Sequence, residues 1–273
     1  MTARYAVIGN PIAHSKSPHI HAAFARQTGE AIAYEALYAE LDAFDTCVQR
    51  FRDAGGCGLN VTLPFKHRAY ALAQRTGARA EQARAVNTLR FDGAEVFGDM
   101  TDGVGLVRDL TRNIGYAIRA KRVLLLGAGG ASYGVCGALL EEEPAALIVV
   151  NRTSEQARLL VAHYSSLFPA ATLATAAYGA PVERAFDLVI NATSAGLSGV
   201  MPVLPHGVFE AGALAYDMTY GQTTPFLERA RREGARTADG IGMLVEQAAE
   251  SFYIWRGVRP ETTPVIALLR GEA

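Results

Sequence analysis

The chain has 273 residues, 50% of them hydrophobic and 19% charged, with 26 basic against 27 acidic side chains and a formal net charge of -1. That length and balance suit a globular protein of one large or two ordinary domains, and they supply neither an overall field nor a basic run to draw a polyanion, which excludes nucleic acid as a partner. The three cysteines, Cys47, Cys57 and Cys136, are odd in number and far apart, without CxxC spacing, so they suggest neither a disulfide framework nor a zinc site and fit a reducing cytoplasm.

The opening stretch MTARYAVIGN has too short an apolar run for a signal peptide, and the expected location is the cytoplasm. A first strand is expected at Tyr5 to Ile8. The following Asn10-Pro11-Ile12-Ala13-His14-Ser15-Lys16-Ser17-Pro18 leads into a helix with Ser17 as its N-cap and Pro18 in its first turn. Ser17 has a capping role available to it. Ser15 has none, and two hydroxyls beside a helix start can hydrogen-bond a carboxylate or a polyol. His19 and His21 point to different helix faces and no acidic ligand is spaced to join them, so no metal is expected and His14, His19 and His21 are read as surface histidines.

Further strands are expected at Ala33 to Tyr38 and Gly58 to Leu63. In GLNVTLPFKHRA the apolar alternation runs into Pro64, which lacks an N–H and ends the ladder, so that Lys66 is carried off the end of the strand. An ammonium there can stabilise an alkoxide and donate a proton; a lysine opening a surface helix is the plainer alternative. Asp102, in GDMTDG at a helix start, serves either as a cap or as a carboxylate that orients Lys66. Thr62 and Asn87 read equally well as strand-end and turn residues.

A helix ending at Gly115 places a domain boundary near Thr111 to Lys121, just ahead of a second α/β region. Val123 to Leu140 carries no charge for eighteen residues, near the minimum for a membrane span. Its first part is β-rich, its second small and helix-compatible, and the glycines lie between, so it is one βα unit. Gly127 permits the tight turn, Gly129 lets backbone approach a pyrophosphate, and the helix start, with Ala128, Gly130 and Ala131 around it, offers N–H groups and a positive dipole end. Ser132 takes the third position of the fingerprint and is small enough for close packing. Strands at Ala146 to Val150, Leu188 to Asn191 and Ala213 to Met218 continue the alternation. After the first of these come Asn151, Arg152 and Thr153, where an NAD site would carry an acid; Arg152 instead offers a charged fork suited to a 2'-phosphate, so NADP is the expected cofactor. Late in the chain Met243, Leu244, Gln247, Ala248, Ser251, Phe252 and Trp255 form one stripe at helical spacing, and a glutamine on a buried stripe needs partners.

Taken together, GNPIAHSKSP at 9 to 18, GLNVTLPFK at 58 to 66, AVNT at 85 to 88, GDMTDG at 98 to 103, GAGGA at 127 to 131, NRT at 151 to 153, NATSAGL at 191 to 197, DMTYGQTTPFL at 217 to 227 and DGIGMLVEQAAESFYIWRG at 239 to 257 resemble the shikimate dehydrogenase family over nearly the whole chain. The resemblance implies a two-domain α/β protein. A substrate-binding domain of residues 1 to 104, completed by the C-terminal helices of 240 to 273, would accompany a Rossmann-type NADP domain of 105 to 239. It implies NADP-dependent, reversible reduction of 3-dehydroshikimate to shikimate in aromatic amino-acid biosynthesis, by a monomer or homodimer without membrane or nucleic-acid partners. Lys66 and Asp102 would be the catalytic pair; Ser15, Ser17, Thr62, Asn87, Asp102, Tyr220 and Gln247 would hold the small-molecule substrate; Met218 and Gly240 would join the glycine turn and Asn151 to Thr153 on the cofactor. A quinate and shikimate dehydrogenase with relaxed cofactor use is the alternative within the family. A non-catalytic NADP- and ligand-binding paralogue is the alternative outside it, disfavoured because Lys66 and Asp102 are both retained. Two positions depart from the family: Met100 replaces an asparagine, which removes an amide from the Asp102 loop, and Gln156 stands where a second basic residue is frequent, which weakens the expected NADP preference.

Overall fold

The computed structural model describes residues 2–180, 184–193, 203–204 and 207–271. The chain divides into two compact units, one of Met1–Leu106 with Leu244–Ala273, the other of Val107–Met243.

The first unit contains, in chain order, β1 (Ala3–Gly9), α1 (Ser17–Thr28), β2 (Ile32–Tyr38), α2 (Phe44–Asp53), β3 (Gly56–Val61), α3 (Lys66–Leu72), β4 (Arg75–Thr76), α4 (Ala78–Ala83), β5 (Thr88–Asp92), β6 (Glu95–Asp99) and the start of α5 (Asp102–Arg108). Its six-stranded sheet has the order β2-β1-β3-β5-β6-β4. β1 runs parallel to β2 and β3, whereas β5 is antiparallel to both β3 and β6. β5 and β6 form a hairpin whose turn needs Gly93 at φ 61°. On α2, Phe44, Val48 and Phe51 recur at helical spacing and are all buried, and Phe44 stacks on Phe65 with ring centroids 4.8 Å apart.

In the second unit α5 widens into a π-helical turn at Asp109–Asn113, followed by β7 (Arg122–Leu126), α6 (Gly130–Glu141), β8 (Ala146–Val150), α7 (Ser154–Leu167), β9 (Leu173–Thr175), β10 (Phe186–Asn191), β11 (Phe209–Asp217), α8 (Pro225–Arg232) and β12 (Arg236–Ala238). The strand order is β12-β11-β10-β7-β8-β9 with every pairing parallel, the doubly wound Rossmann arrangement. Val123 to Leu126 are at most 2% exposed, because a central parallel strand is covered on both faces and so reads as an unbroken apolar run. The uncharged segment from Val123 to Leu140 is thus β7 and most of α6. Among the described residues, no helix is long and apolar enough to cross a membrane.

The chain closes with α9 (Ile241–Arg256) and α10 (Thr263–Arg270). From Leu244 onward this segment is part of the first unit. Trp255 stacks on Tyr5 at 4.5 Å and donates from Nε1 to the Leu89 carbonyl at 2.9 Å, while Arg256 pairs with Glu30.

The α/β architecture is the one expected, and every predicted strand is present, that at Ala146–Val150 with the ends expected and the others with one or both ends shifted by up to four residues. β3 stops at Val61, so Thr62 and Leu63 lie beyond it. β4, β5, β6, β9 and β12 are additional; several are two or three residues long, too short to show a period. Lys16, not Ser17, is the N-cap of α1, and Ser17 is its first residue. Ser15 does have a local role, since its Oγ accepts the Ser17 N–H at 3.3 Å. The surface reading of His21 is wrong. It is 0% exposed and stacks on Tyr34 at 4.1 Å, with Phe24, Phe252 and Trp255 around it. Phe24 lies one turn along α1 itself, whereas Tyr34 comes from β2 and Phe252 and Trp255 from α9. Among the described residues neither ring nitrogen has a partner at hydrogen-bonding geometry, and burial pushes the imidazole pKa down to about 3 against a smaller opposing effect of the Asn60 side chain.

Candidate functional site

The ends of β1, β3, β5 and β6 bring the predicted groups of the first unit together. β1 and β3 are neighbours, and beyond their ends the Thr62 N–H donates to the Ile8 carbonyl at 3.0 Å and the Asn10 N–H to Leu63 at 2.9 Å. Gly9 is required there, because a Cβ would lie 2.4 Å from the Thr62 side chain. The loop that leaves β1 carries Ser15, half-buried, and Ser17, 6% exposed. The loop that leaves β3 carries Thr62 and delivers Lys66 to the first position of α3. Lys66 opens a helix, yet its side chain is only 13% exposed and its Nζ donates to Asp102 Oδ2, on a side chain 8% exposed.

Asp102 begins α5, just past the end of β6, where it is held from a second side. Asn87 Nδ2 donates to Asp102 Oδ1 at 2.6 Å, and Asn87 Oδ1 accepts the Thr101 N–H at 2.9 Å. A backbone N–H can only donate, so the Asn87 carboxamide has one admissible orientation, with its NH2 toward the carboxylate. Gln247 on α9 reaches the same group, its Oε1 lying 3.3 Å from Asn87 Nδ2 and its own Nε2 donating to the Leu244 carbonyl at 2.7 Å. Ser15, Ser17, Thr62, Lys66, Asn87, Asp102 and Gln247 therefore all belong to the first unit. An ammonium and a carboxylate in contact, flanked by hydroxyls and carboxamides, can bind a hydroxylated acid and pass a proton to its oxygen.

In the second unit the glycine turn follows β7 and Asn151 to Thr153 follow β8, side by side because the two strands pair in register up to Leu126 and Val150. Gly127 sits at φ 108°, where a Cβ would meet the Ala192 carbonyl oxygen at 3.2 Å. Around Gly129 nothing lies within 4 Å of a Cβ position, and α6 starts at the next residue with no side-chain cap. Open backbone and a free helix start fit a pyrophosphate, and the exposed Arg152 beside them fits a 2'-phosphate. Asn151 Nδ2 donates to the Thr153 carbonyl and to Gln156 Oε1, both at 2.9 Å, so Gln156 braces this loop without adding a charge. Met218 follows β11, and its carbonyl lies 2.4 Å from where a Cβ on Gly240 would be, so only glycine fits. Tyr220 follows two residues later, half-buried. Within NATSAGL, Ser194 to Leu197 lie outside the described residues.

Residues 7–89 match the shikimate dehydrogenase substrate binding domain, 109–201 match shikimate / quinate 5-dehydrogenase, and 240–270 match the shikimate 5'-dehydrogenase C-terminal domain. A shikimate dehydrogenase (NADP(+)) of Dechloromonas aromatica is 56% identical over 274 aligned residues, covering 100% of this chain and 99% of that protein. The chain belongs to the shikimate dehydrogenase family. Among solved members, shikimate 5-dehydrogenase of Thermus thermophilus in complex with NADP(H) and shikimate is 31% identical with a TM-score of 0.86, covering 100% of both chains. An Ael1 enzyme from Pseudomonas putida is 46% identical with a TM-score of 0.90, covering 98% of each.

Against the shikimate dehydrogenase pattern, Met100 proves to be a core residue, 2% exposed in the cluster that holds Phe65, Ala69 and Val86. Its loop is fixed by other groups: the Met100 N–H donates to Asp99 Oδ1 at 2.8 Å, and Asp99 is clamped by Arg79 at 2.5 Å. Sequence reasoning gave no role to Thr88 and Thr101, although both stand in quoted motifs, nor to Asn60 and Ser251. Ser251 could have been found by the argument that singled out Gln247, since it lies one turn later on the same stripe.

Proposed function

We propose that this protein is an NADP-dependent shikimate dehydrogenase that reduces 3-dehydroshikimate to shikimate and runs the reaction in reverse. The observation that carries the reading is the Lys66–Asp102 ion pair, nearly buried and braced by Asn87, in a chain 56% identical over its whole length to a shikimate dehydrogenase (NADP(+)). The cofactor, when bound, supplies the hydride. As hydride reaches the ketone carbon, charge develops on its oxygen; Lys66 Nζ stabilises that charge and gives up a proton to it. In the oxidative direction the same nitrogen takes the proton back. Asp102 aims Lys66 and accepts from a substrate hydroxyl. Ser15 and Ser17 bind the carboxylate, and together with them Thr62, Asn87, Tyr220 and Gln247 surround the substrate's carboxylate and hydroxyls. Gly127 to Ala131, Asn151 to Thr153, Met218 and Gly240 hold the dinucleotide, with Arg152 on the 2'-phosphate. The protein works in the cytoplasm as a monomer or homodimer, with residues 1 to 104 and 240 to 273 as substrate domain and 105 to 239 as cofactor domain. The test is NADPH consumption by purified protein on addition of 3-dehydroshikimate, with quinate and NADH run alongside. No consumption by folded protein refutes the reading.

A further inference from the structure

Behind the side chains assigned to the substrate lies a layer of hydroxyls that the reaction scheme leaves without a task. Thr88, Thr101 and Ser251 are each 0% exposed. They come from β5, from the loop between β6 and α5, and from α9. Ser251 Oγ is the meeting point, 2.7 Å from Thr88 Oγ1 and 3.3 Å from Thr101 Oγ1. It also receives Asn60 Nδ2–H at 2.9 Å.

Each hydroxyl carries one hydrogen, and counting hydrogens limits how the contacts can be made. Asn87 Oδ1, 3.0 Å from Thr88 Oγ1, and the Gln247 carbonyl, 3.0 Å from Ser251 Oγ, can only accept, so the 2.7 Å contact is made in one of two ways: Ser251 donates to Thr88 while Thr88 donates to Asn87, or Thr88 donates to Ser251 while Ser251 donates to Gln247. The first arrangement is the one that gives Asn87 Oδ1 the Thr88 donor, and in it the donors run one way: Asn60 to Ser251, Ser251 to Thr88, Thr88 to Asn87, and Asn87 to Asp102 Oδ1 at 2.6 Å. The other Asp102 oxygen receives Lys66. Hydrogen bonds aligned in this way polarise one another, and in a site shielded from water none of the partners is replaceable by solvent.

We infer that the Ser251–Thr88 hydroxyl pair positions the catalytic ion pair, by fixing the Asn87 carboxamide that holds one oxygen of Asp102 and so turns the other toward Lys66. Neither hydroxyl touches substrate; both act through Asn87. The inference rests on the reaction proposed above. Because Ser251 lies on the helix that carries Gln247, the pair also ties that helix to β5, which starts at Thr88 directly after Asn87.

The experiment compares Thr88→Val, Thr88→Ser and Ser251→Ala with the parent enzyme in NADPH-dependent reduction of 3-dehydroshikimate, each variant checked for its melting temperature. Thr88→Val keeps the shape and removes the hydroxyl, and is expected to lower kcat about five- to fiftyfold with KM changed less than about threefold. Ser251→Ala should fall in the same range. Thr88→Ser returns the hydroxyl and should recover most of the lost kcat. Placed on an Asn87→Ala background, Thr88→Val should add little, because the residue it acts through is gone. If both hydroxyl deletions keep kcat within about twofold of the parent, or lower only the melting temperature, the inference is overturned. If the parent enzyme itself does not turn over, the proposed reaction fails first and takes this inference with it.

Discussion

Lys66→Ala is the sharpest perturbation of the proposed mechanism. In the intact protein the Lys66 ammonium contacts Asp102, and the two side chains are only 13% and 8% exposed, so water cannot simply replace the lost nitrogen. The substitution removes the proton donor and the cation facing the developing alkoxide, which is worth about a hundred- to ten-thousandfold in kcat for a positioned general acid. KM should change far less, because Ser15, Ser17, Thr62, Asn87 and Gln247 still hold the ground state and the missing interaction strengthens only as charge develops. There is a stability cost as well. Asp102 keeps Asn87 as a donor at 2.6 Å but loses its counter-ion, and a nearly buried carboxylate left half-satisfied costs about 1 to 3 kcal/mol. Steady-state kinetics at saturating NADPH, with urea denaturation of the same preparations, separates the two effects. Asp102→Asn should resemble Lys66→Ala, and the double variant should fall well short of the product of the singles. A kcat for Lys66→Ala within about threefold of the parent refutes the assignment and returns Lys66 to structural duty at the start of α3.

Arg152→Ala should weaken NADPH binding about ten- to a hundredfold and leave NADH almost untouched, as read by fluorescence titration, because Gln156 braces the loop without contributing charge; equal losses for the two cofactors refute it. His21 supplies a pH dependence: its folded pKa of about 3 lies below the ordinary 6.5, so the unfolded chain binds the extra proton between those values and stability is full above pH 6.5 and falls as pH drops toward 3. At pH 5 the loss is roughly 2 kcal/mol, and His21→Phe should flatten that part of the urea-midpoint profile; parallel profiles refute the burial argument. Gly240→Ala places a Cβ 2.4 Å from the Met218 carbonyl and should cost about 1 to 3 kcal/mol in stability and weaken NADPH binding, whereas a neutral result means the backbone there has slack.

What the sequence revealed and what it hid follow one physical division. The second sheet was legible because its central strands are continuous apolar runs followed by glycine turns, signals confined to a few adjacent residues. The hairpin of β5 and β6 is marked in the sequence only by Asp92 and Gly93 at its turn, because its strands are five residues each and overlap the polar motifs AVNT and GDMTDG at their outer ends. Lys66 was noticed because proline ended its strand, while its bond to Asp102 spans 36 positions and no local pattern encodes it. His21 was misplaced for the same reason. Spacing on α1 puts it on one face with Phe24, but the other rings that bury it belong to β2 and α9. Asn60 and Thr88 were missed because a small polar residue in a strand looks the same whether it faces solvent or a buried hydroxyl three elements away.

The first unit is assembled from two stretches of chain, with all of the second unit between them. A ribosome therefore finishes the uninterrupted unit before it can finish the interrupted one. Until α9 emerges, the Tyr5 ring lacks its stacking partner Trp255, the Leu89 carbonyl lacks the Trp255 N–H, and Asn60 and Thr88 lack Ser251. Such groups are costly to bury unmatched, so the nascent first unit stays open to solvent, chaperones and proteases while the second is already shut. A premature stop ahead of Ser251 would release a chain with a sound second unit and a first unit unable to close, and the cell would meet it as a degradation substrate before it met it as an enzyme. The last helices thus act as a completeness check made at the end of synthesis.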